Sequence, residues 1–204
     1  NHPGILSSDT LLDLKELPET LAVIGGGVIG IEMAQAFVEL GSKITVIEMM
    51  DRIIPGIDTE ASDVLAAHLK KKGVKILTST KITEIVDNKG KVEIKTDKGD
   101  SIIAEKALLS VGRLPDLEGI GDVEFEIERG KIKVDKFMET SVKGIYAPGD
   151  VNGIKMLAHV AFRMGEVATN NAAIGIHREL KLHAASSGVF TLPVVALVGL
   201  TDPD

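Results

Sequence analysis

The run Gly25-Gly26-Gly27-Val28-Ile29-Gly30 leaves this chain few folds to choose from. It follows a short apolar stretch, residues 21–24, that reads as a buried parallel strand. After it, Ile31, Ala34, Phe37 and Val38 recur at helical spacing, and Gly41 stands just past the end as a cap. Residues 43–47 then form a β-branched strand. Strand, glycine turn, helix and strand in that order imply two adjacent parallel strands joined by a crossover. The glycines fit G-x-G-x-x-G, a pattern with a distinct job at each place. Gly25 permits a tight turn out of the strand, Gly27 lets the backbone approach a pyrophosphate, and Gly30 lets the helix lie close to the sheet. Gly26, Val28 and Ile29 fill the remaining places. Val28 and Ile29 contribute backbone amides, with side chains expected in the core, and the positive end of the helix dipole faces the anion. Glu48 ends the next strand, where an acidic residue about 20 positions on accepts ribose hydroxyls. A carboxylate there favours NAD over NADP. A glycine run alone is a weak signal, and the other reading is a Rossmann-like core with a solvated Glu48.

The rest of the chain extends an α/β pattern. Asp58 reads as the N-cap of a helix running to Lys72 and closed by Gly73, with residues 74–77 as a third strand. Residues 81–103 change to near-alternation, with turn signals at Asp87-Asn88-Lys89-Gly90 and Asp97-Lys98-Gly99-Asp100, which predicts an inserted antiparallel β-meander. Residues 106–111 return to a buried strand. Further on, residues 131–134 and 144–147 read as short strands, and residues 158–174 as a helix. Residues 190–200 read as an apolar strand with nothing after it to pack against, which suggests truncation. The expected fold is a Rossmann-like parallel sheet with an inserted meander and a partial second segment.

Charge narrows the partners. Lys and Arg total 23 against 30 Asp and Glu, a formal charge of −7. An acidic chain without a basic cluster gives nucleic acid little to bind. The run Lys70-Lys71-Lys72 sits late in its helix, where it complements the dipole. No stretch approaches the roughly 18–20 apolar residues that cross a bilayer, and no signal peptide is visible. Cysteine is absent. That fits the cytoplasm, removes thiolate metal ligands, and leaves no metal site to expect.

Five segments in fixed order resemble the pyridine-nucleotide disulfide oxidoreductases. They are residues 21–32 around the glycine loop; Ser110-Val111-Gly112-Arg113-Leu114-Pro115-Asp116, similar to V-G-R-x-P-N; residues 140–150, ending in Pro148-Gly149-Asp150; Met156-Leu157-Ala158-His159-Val160-Ala161; and Phe190-Thr191-Leu192-Pro193 with Val198-Gly199-Leu200-Thr201. The fourth has the form common in the dihydrolipoamide dehydrogenase branch. Two places depart from the family pattern: Phe162-Arg163-Met164-Gly165, and Val194 after the proline.

The resemblance implies residues 1–116 as an NAD-binding domain with a lead-in, 117–180 as the C-terminal part of an FAD-binding domain, and 181–204 as the start of a truncated dimerisation domain. It implies that Gly25, Gly26, Gly27, Val28, Ile29, Gly30, Glu48, Ile82, Ser110, Val111, Gly112 and Arg113 hold NAD. It likewise implies that Gly149, Asp150, Met156, Leu157, Ala158 and His159 hold FAD. Glu32 matches a glutamate that pairs with a flavin-side lysine near the nicotinamide. Taken by themselves, Glu32 is a first-turn helix glutamate, Ile82 a core residue, Arg113 a surface ion-pair partner, Asp150 a turn aspartate and His159 a structural hydrogen-bonder. His2, His68, His177 and His183 have no catalytic context.

Complete members of the family also carry a first FAD unit with its own glycine loop and a redox-active Cys-x4-Cys, and a C-terminal domain with a His-Glu pair. These 204 residues hold no second glycine fingerprint and no cysteine. The expectation is therefore the NAD-binding portion of a homodimeric flavoenzyme, possible partner of a 2-oxo acid dehydrogenase complex, with the chain alone inactive. The other readings are an NAD(H)-binding module without catalysis, and an NADH oxidase or diaphorase relative.

Overall fold

The computed structural model describes residues 3–175 and 177–200. These form two compact units, one of the residues up to Gly112 with Gly188–Leu197, the other of Arg113–Ser187 with Val198–Leu200.

The first unit is built on five parallel strands in the order β1-β8-β2-β3-β4. Their ranges are β1 Ile5–Leu6, β2 Thr20–Ile24, β3 Lys43–Ile47, β4 Lys75–Leu77 and β8 Lys106–Leu109. Helix α1 (Ser8–Leu12) follows β1, α2 (Val28–Leu40) joins β2 to β3, and α3 (Thr59–Lys71) joins β3 to β4. The chain moves outward from β2 to β4 and then returns to place β8 on the other side of β2. The C-terminal end of β2 is therefore a switch point, the place where open parallel sheets leave a crevice.

Strand periodicity buries both faces of this sheet. Leu21 and Val23 of β2, Ile44 and Val46 of β3, and Leu108 of β8 pack with Ile31, Ala34 and Phe37 of α2 and Leu65 and Leu69 of α3. The alternate residues Ala22, Ile24, Ile47 and Ala107 pack with Val92, Ile94 and Ala104. That second layer comes from the meander, strands β5 (Ile82–Asn88), β6 (Lys91–Thr96) and β7 (Ser101–Ala104), paired antiparallel. Its first turn is two residues long, with Lys89 and Gly90 both at positive φ, the geometry that matches the strand twist.

The second unit has a short hairpin, β9 (Ile127–Glu128) with β10 (Lys131–Ile132), and helix α4 (Ala158–Thr169), extended by a π turn over Asn170–Ile174. Met138, Val160, Met164, Val167 and Ala168 form its core. Among the described residues, no helix is long and apolar enough to cross a membrane.

The α/β class, the parallel sheet and the meander appear as the sequence implies. Four details differ. The lead-in supplies an edge strand, β1, which pairs with β8. Asp58 is the N-cap of α3 but makes no side-chain cap hydrogen bond. Residues 144–147 form no strand, only a bridge from Tyr146 to Glu139, because the turn before them uses the local backbone groups: Ile145 bonds back to Val142, and the Gly144 N–H donates to the Glu139 carboxylate. Residues 190–200 form no single strand either. Gly188 and Val189 belong to β11 (Ser187–Val189), which pairs with β12 (Val195–Leu197), and between them Pro193 lacks the N–H a ladder needs. Val189 is buried in the first unit's core. Thr201 and the residues after it, like His2, lie outside the described residues.

Leu65 is fully buried between α3 and the sheet. Leu65→Ala is expected to destabilise the first unit by about 2–5 kcal/mol, read as a lower urea midpoint for that unit.

Candidate functional site

Strand β2 ends in a turn whose glycines answer to different neighbours. Gly25 adopts φ +98, and a Cβ on it would lie 2.5 Å from the Ser110 carbonyl oxygen. A Cβ on Gly30 would lie 2.1 Å from the Gly25 carbonyl oxygen and 2.6 Å from Ser110 Oγ. Both positions are closed by the protein itself. Ser110, just past β8, donates its hydroxyl toward the carbonyl oxygens of Ile24 (2.9 Å) and Gly25 (3.0 Å), bracing the turn from behind.

Gly27 differs. It caps α2 with an ordinary φ of −71, and a Cβ there would meet nothing within 4 Å. No neighbouring atom requires a glycine at this place. No side chain caps the helix and no acidic residue occupies its first turn. The amides of Gly27, Val28, Ile29 and Gly30 therefore present the positive end of the helix with no side-chain cap, equivalent to about half an elementary charge. Val28 is exposed rather than core, so its part in the turn is its backbone.

Glu48 is not solvated. It is 8% exposed, and its two oxygens accept the N–H groups of Gly26 (2.6 Å) and Met50 (2.7 Å). The side chain at the end of β3 thus holds the glycine turn at the end of β2. A carboxylate can accept more than two hydrogen bonds, so acceptor capacity remains. The Thr80 N–H donates to the Glu48 backbone carbonyl (2.9 Å), which brings the stretch before Ile82 alongside. Ile82 itself opens β5 and packs on the meander core. Val111 and Gly112 are exposed beyond Ser110, and Arg113, also exposed, opens the second unit.

Glu32 is engaged. Its carboxylate accepts the Phe190 N–H at 2.8 Å. One turn along α2, buried Gln35 accepts the Leu192 N–H (3.0 Å) and donates to the Leu192 carbonyl (3.2 Å). Nothing in the sequence pattern singles out Gln35.

In the second unit, Gly149 is buried at φ +89, with its N–H directed at Met164 Sδ (3.2 Å). Asp150 is exposed at the start of a 3-10 turn, and its carboxylate has no hydrogen-bond partner among the described residues. Buried Asn152 ties this turn together: it donates to the Ala147 carbonyl (2.9 Å) and accepts the Ile154 N–H (3.0 Å). A polar residue in a turn is ordinary, so nothing in the sequence marks Asn152. Met156 precedes Leu157, the N-cap of α4, which has no side-chain cap and no acidic first turn. Ala158 and His159 follow, exposed, with His159 Nε2 2.9 Å from the Ser186 carbonyl oxygen. His177 packs its ring on Phe137. No cluster of His, Asp or Glu among the described residues is placed to hold a metal ion.

A glycine turn at the switch point of a parallel sheet, opening onto an uncapped helix, is the arrangement of a Rossmann-like α/β domain. Residues 2–165 match the model of the pyridine nucleotide-disulphide oxidoreductase family, and the chain belongs to that family. The dihydrolipoyl dehydrogenase of Acholeplasma laidlawii is 39% identical over 168 residues, 82% of this chain and 49% of the relative. That of Bacillus subtilis (strain 168) is 37% identical over 208 aligned positions, 98% of this chain and 44% of the relative. LpdA from Mycobacterium tuberculosis superposes with a TM-score of 0.89 at 32% identity, covering 96% of this chain and 43% of its own. The HOCl-induced flavoprotein disulfide reductase RclA from Escherichia coli, solved as a Cu(II) complex, gives a TM-score of 0.90 at 27% identity over 99% of this chain and 46% of its own. The chain spans less than half the length of these relatives.

Because a Cβ on Gly30 has no room, Gly30→Ala is expected to lower stability by about 1–3 kcal/mol. An unchanged urea midpoint would show that the turn can yield.

Proposed function

We propose that this chain supplies the NAD(H) site, and part of the FAD site, of a flavin-dependent oxidoreductase resembling dihydrolipoamide dehydrogenase. The observation that carries the reading is Gly27: the one fingerprint glycine that the fold does not require faces open space at an uncapped helix N-terminus. A diphosphate there receives the amides of Gly27, Val28, Ile29 and Gly30 and is stabilised by the dipole. Glu48, with acceptor sites to spare beside its bonds to Gly26 and Met50, takes the hydroxyls of the adenosine ribose and repels a 2′-phosphate. Ile82 borders the adenine. Ser110, Val111, Gly112 and Arg113 line the same nucleotide, and Glu32 lies toward the nicotinamide.

On the flavin side, the unpartnered carboxylate of Asp150 accepts ribityl hydroxyls beside Gly149. Met156, Leu157, Ala158 and His159 bring the uncapped start of α4 to the isoalloxazine, where free amides favour negative charge. Bound FAD supplies the two-electron relay between a dithiol and the nicotinamide, while the protein orients the reactants. These 204 residues contain no cysteine, so the dithiol lies outside them. The whole enzyme acts as a homodimer in the cytoplasm, in reach of a 2-oxo acid dehydrogenase complex. The chain alone binds NAD(H) weakly, retains no FAD and turns over no disulfide.

Gly27→Ala tests this directly. A Cβ there meets no protein atom, so stability is expected to change by less than about 1 kcal/mol. The NADH dissociation constant, followed by nicotinamide fluorescence, is expected to rise about tenfold or more as the methyl blocks the diphosphate. Unchanged affinity would refute the assignment. With the parent chain, NADH is expected to bind at least about tenfold more tightly than NADPH, and equal affinities would remove the role given to Glu48.

A further inference from the structure

Two peptide planes decide where the first free amide of α2 points. The Gly25–Gly26 peptide is held at both ends: its carbonyl accepts the Ser110 hydroxyl (3.0 Å), and its N–H donates to Glu48 (2.6 Å). The Gly26–Gly27 peptide is held at one end only. Its carbonyl accepts the Ile54 N–H at 2.7 Å, and no described residue accepts from the Gly27 N–H. A planar trans peptide sets its C=O and N–H on opposite sides. Tying the Gly26 carbonyl toward Ile54 therefore turns the Gly27 N–H the other way, away from the loop after β3.

Ile54 makes this bond from an unfavourable conformation. Its φ is +42, where a β-branched side chain is crowded against its own backbone. Such strain persists only where the surroundings over-determine it. Here they do. Ile53 and Ile54 are each 1% exposed and packed in the first unit's core. The Ile53 carbonyl accepts the Ser62 hydroxyl of α3 at 2.7 Å, with Ser62 also 1% exposed, and the Ile57 N–H closes the turn on the Ile54 carbonyl at 3.0 Å. Core burial of an isoleucine needs no left-handed backbone. What that backbone adds is an N–H aimed at Gly26.

We propose that Ile54 is a positioning residue for the dinucleotide cradle: its strained backbone, anchored through Ser62, presets the Gly26–Gly27 peptide so that the Gly27 amide meets the diphosphate. The proposal rests on the NAD(H) reading above. It places a determinant of affinity in the loop after β3, on a residue whose side chain touches no nucleotide. The reorientation of that peptide is made during folding, so binding does not have to impose it.

The test replaces the Ile54 amide by an ester, which deletes its N–H, weakens the Ile53 carbonyl as an acceptor and keeps every side chain. It is compared with Ser62→Ala, which removes only the anchor on the Ile53 carbonyl and so measures that second effect by itself. Both proteins and the parent chain are titrated with ADP-ribose, which carries the diphosphate, and with adenosine, which does not. Loss of one such hydrogen bond is expected to weaken ADP-ribose about tenfold in the ester and about threefold in Ser62→Ala, with adenosine within about twofold of the parent. ADP-ribose affinity unchanged in the ester overturns the positioning role. So do equal losses for both ligands, since general loosening is then the cause. A parent chain that binds neither ligand instead defeats the NAD(H) reading, and the proposal with it.

Discussion

The carbonyl oxygen of Gly25 sits so close to Gly30 that a Cβ between them would be 2.1 Å away. That approach lets α2 start directly above the end of β2, and the rest of the first unit follows from it. With the helix pressed onto the sheet, Ile31, Ala34 and Phe37 reach Leu21, Val23, Ile44 and Val46 to form one core. The same closeness puts the uncapped helix end at the switch point between β3 and β8. The closed positions, Gly25 and Gly30, hold the turn, and the open one, Gly27, leaves it usable.

Glu48 shows why fold and site are hard to separate here. Its carboxylate is the one buried charged group among the described residues, and it is satisfied by two backbone amides, one of them in the glycine turn. A buried carboxylate without partners would cost several kcal/mol or lose its charge. Its two bonds hold the turn and satisfy the buried carboxylate, and the same group is the one proposed to accept ribose hydroxyls. On the proposed reading, one side chain serves both as structural latch and as nucleotide selector.

What the sequence revealed follows from what leaves a periodic or steric mark. The glycine spacing, the Glu48 strand end, the alternation in the meander and the turn at Lys89-Gly90 all do, and the structure places these elements as read. Edge strand β1 is two residues long, too short for any period. The role of Gln35 is invisible because its partner, Leu192, is 157 positions away and offers backbone rather than a side chain. Residues 190–200 look like one strand because apolar residues dominate, and only Pro193 hints at the break. Ile54 gives least warning: an isoleucine in an apolar loop looks like core, and its importance lies in a dihedral angle.

On the proposed reading, the amides at the start of α2 receive a diphosphate. Nitrogen–proton correlation spectra of the chain, titrated with NAD+, test it most directly. The largest shifts are expected at the amides of Gly27, Val28, Ile29 and Gly30, with those of Ala158 and His159 at the start of α4 unmoved. Saturable NAD+ binding that leaves the Gly27 amide in place and moves residues elsewhere would contradict it.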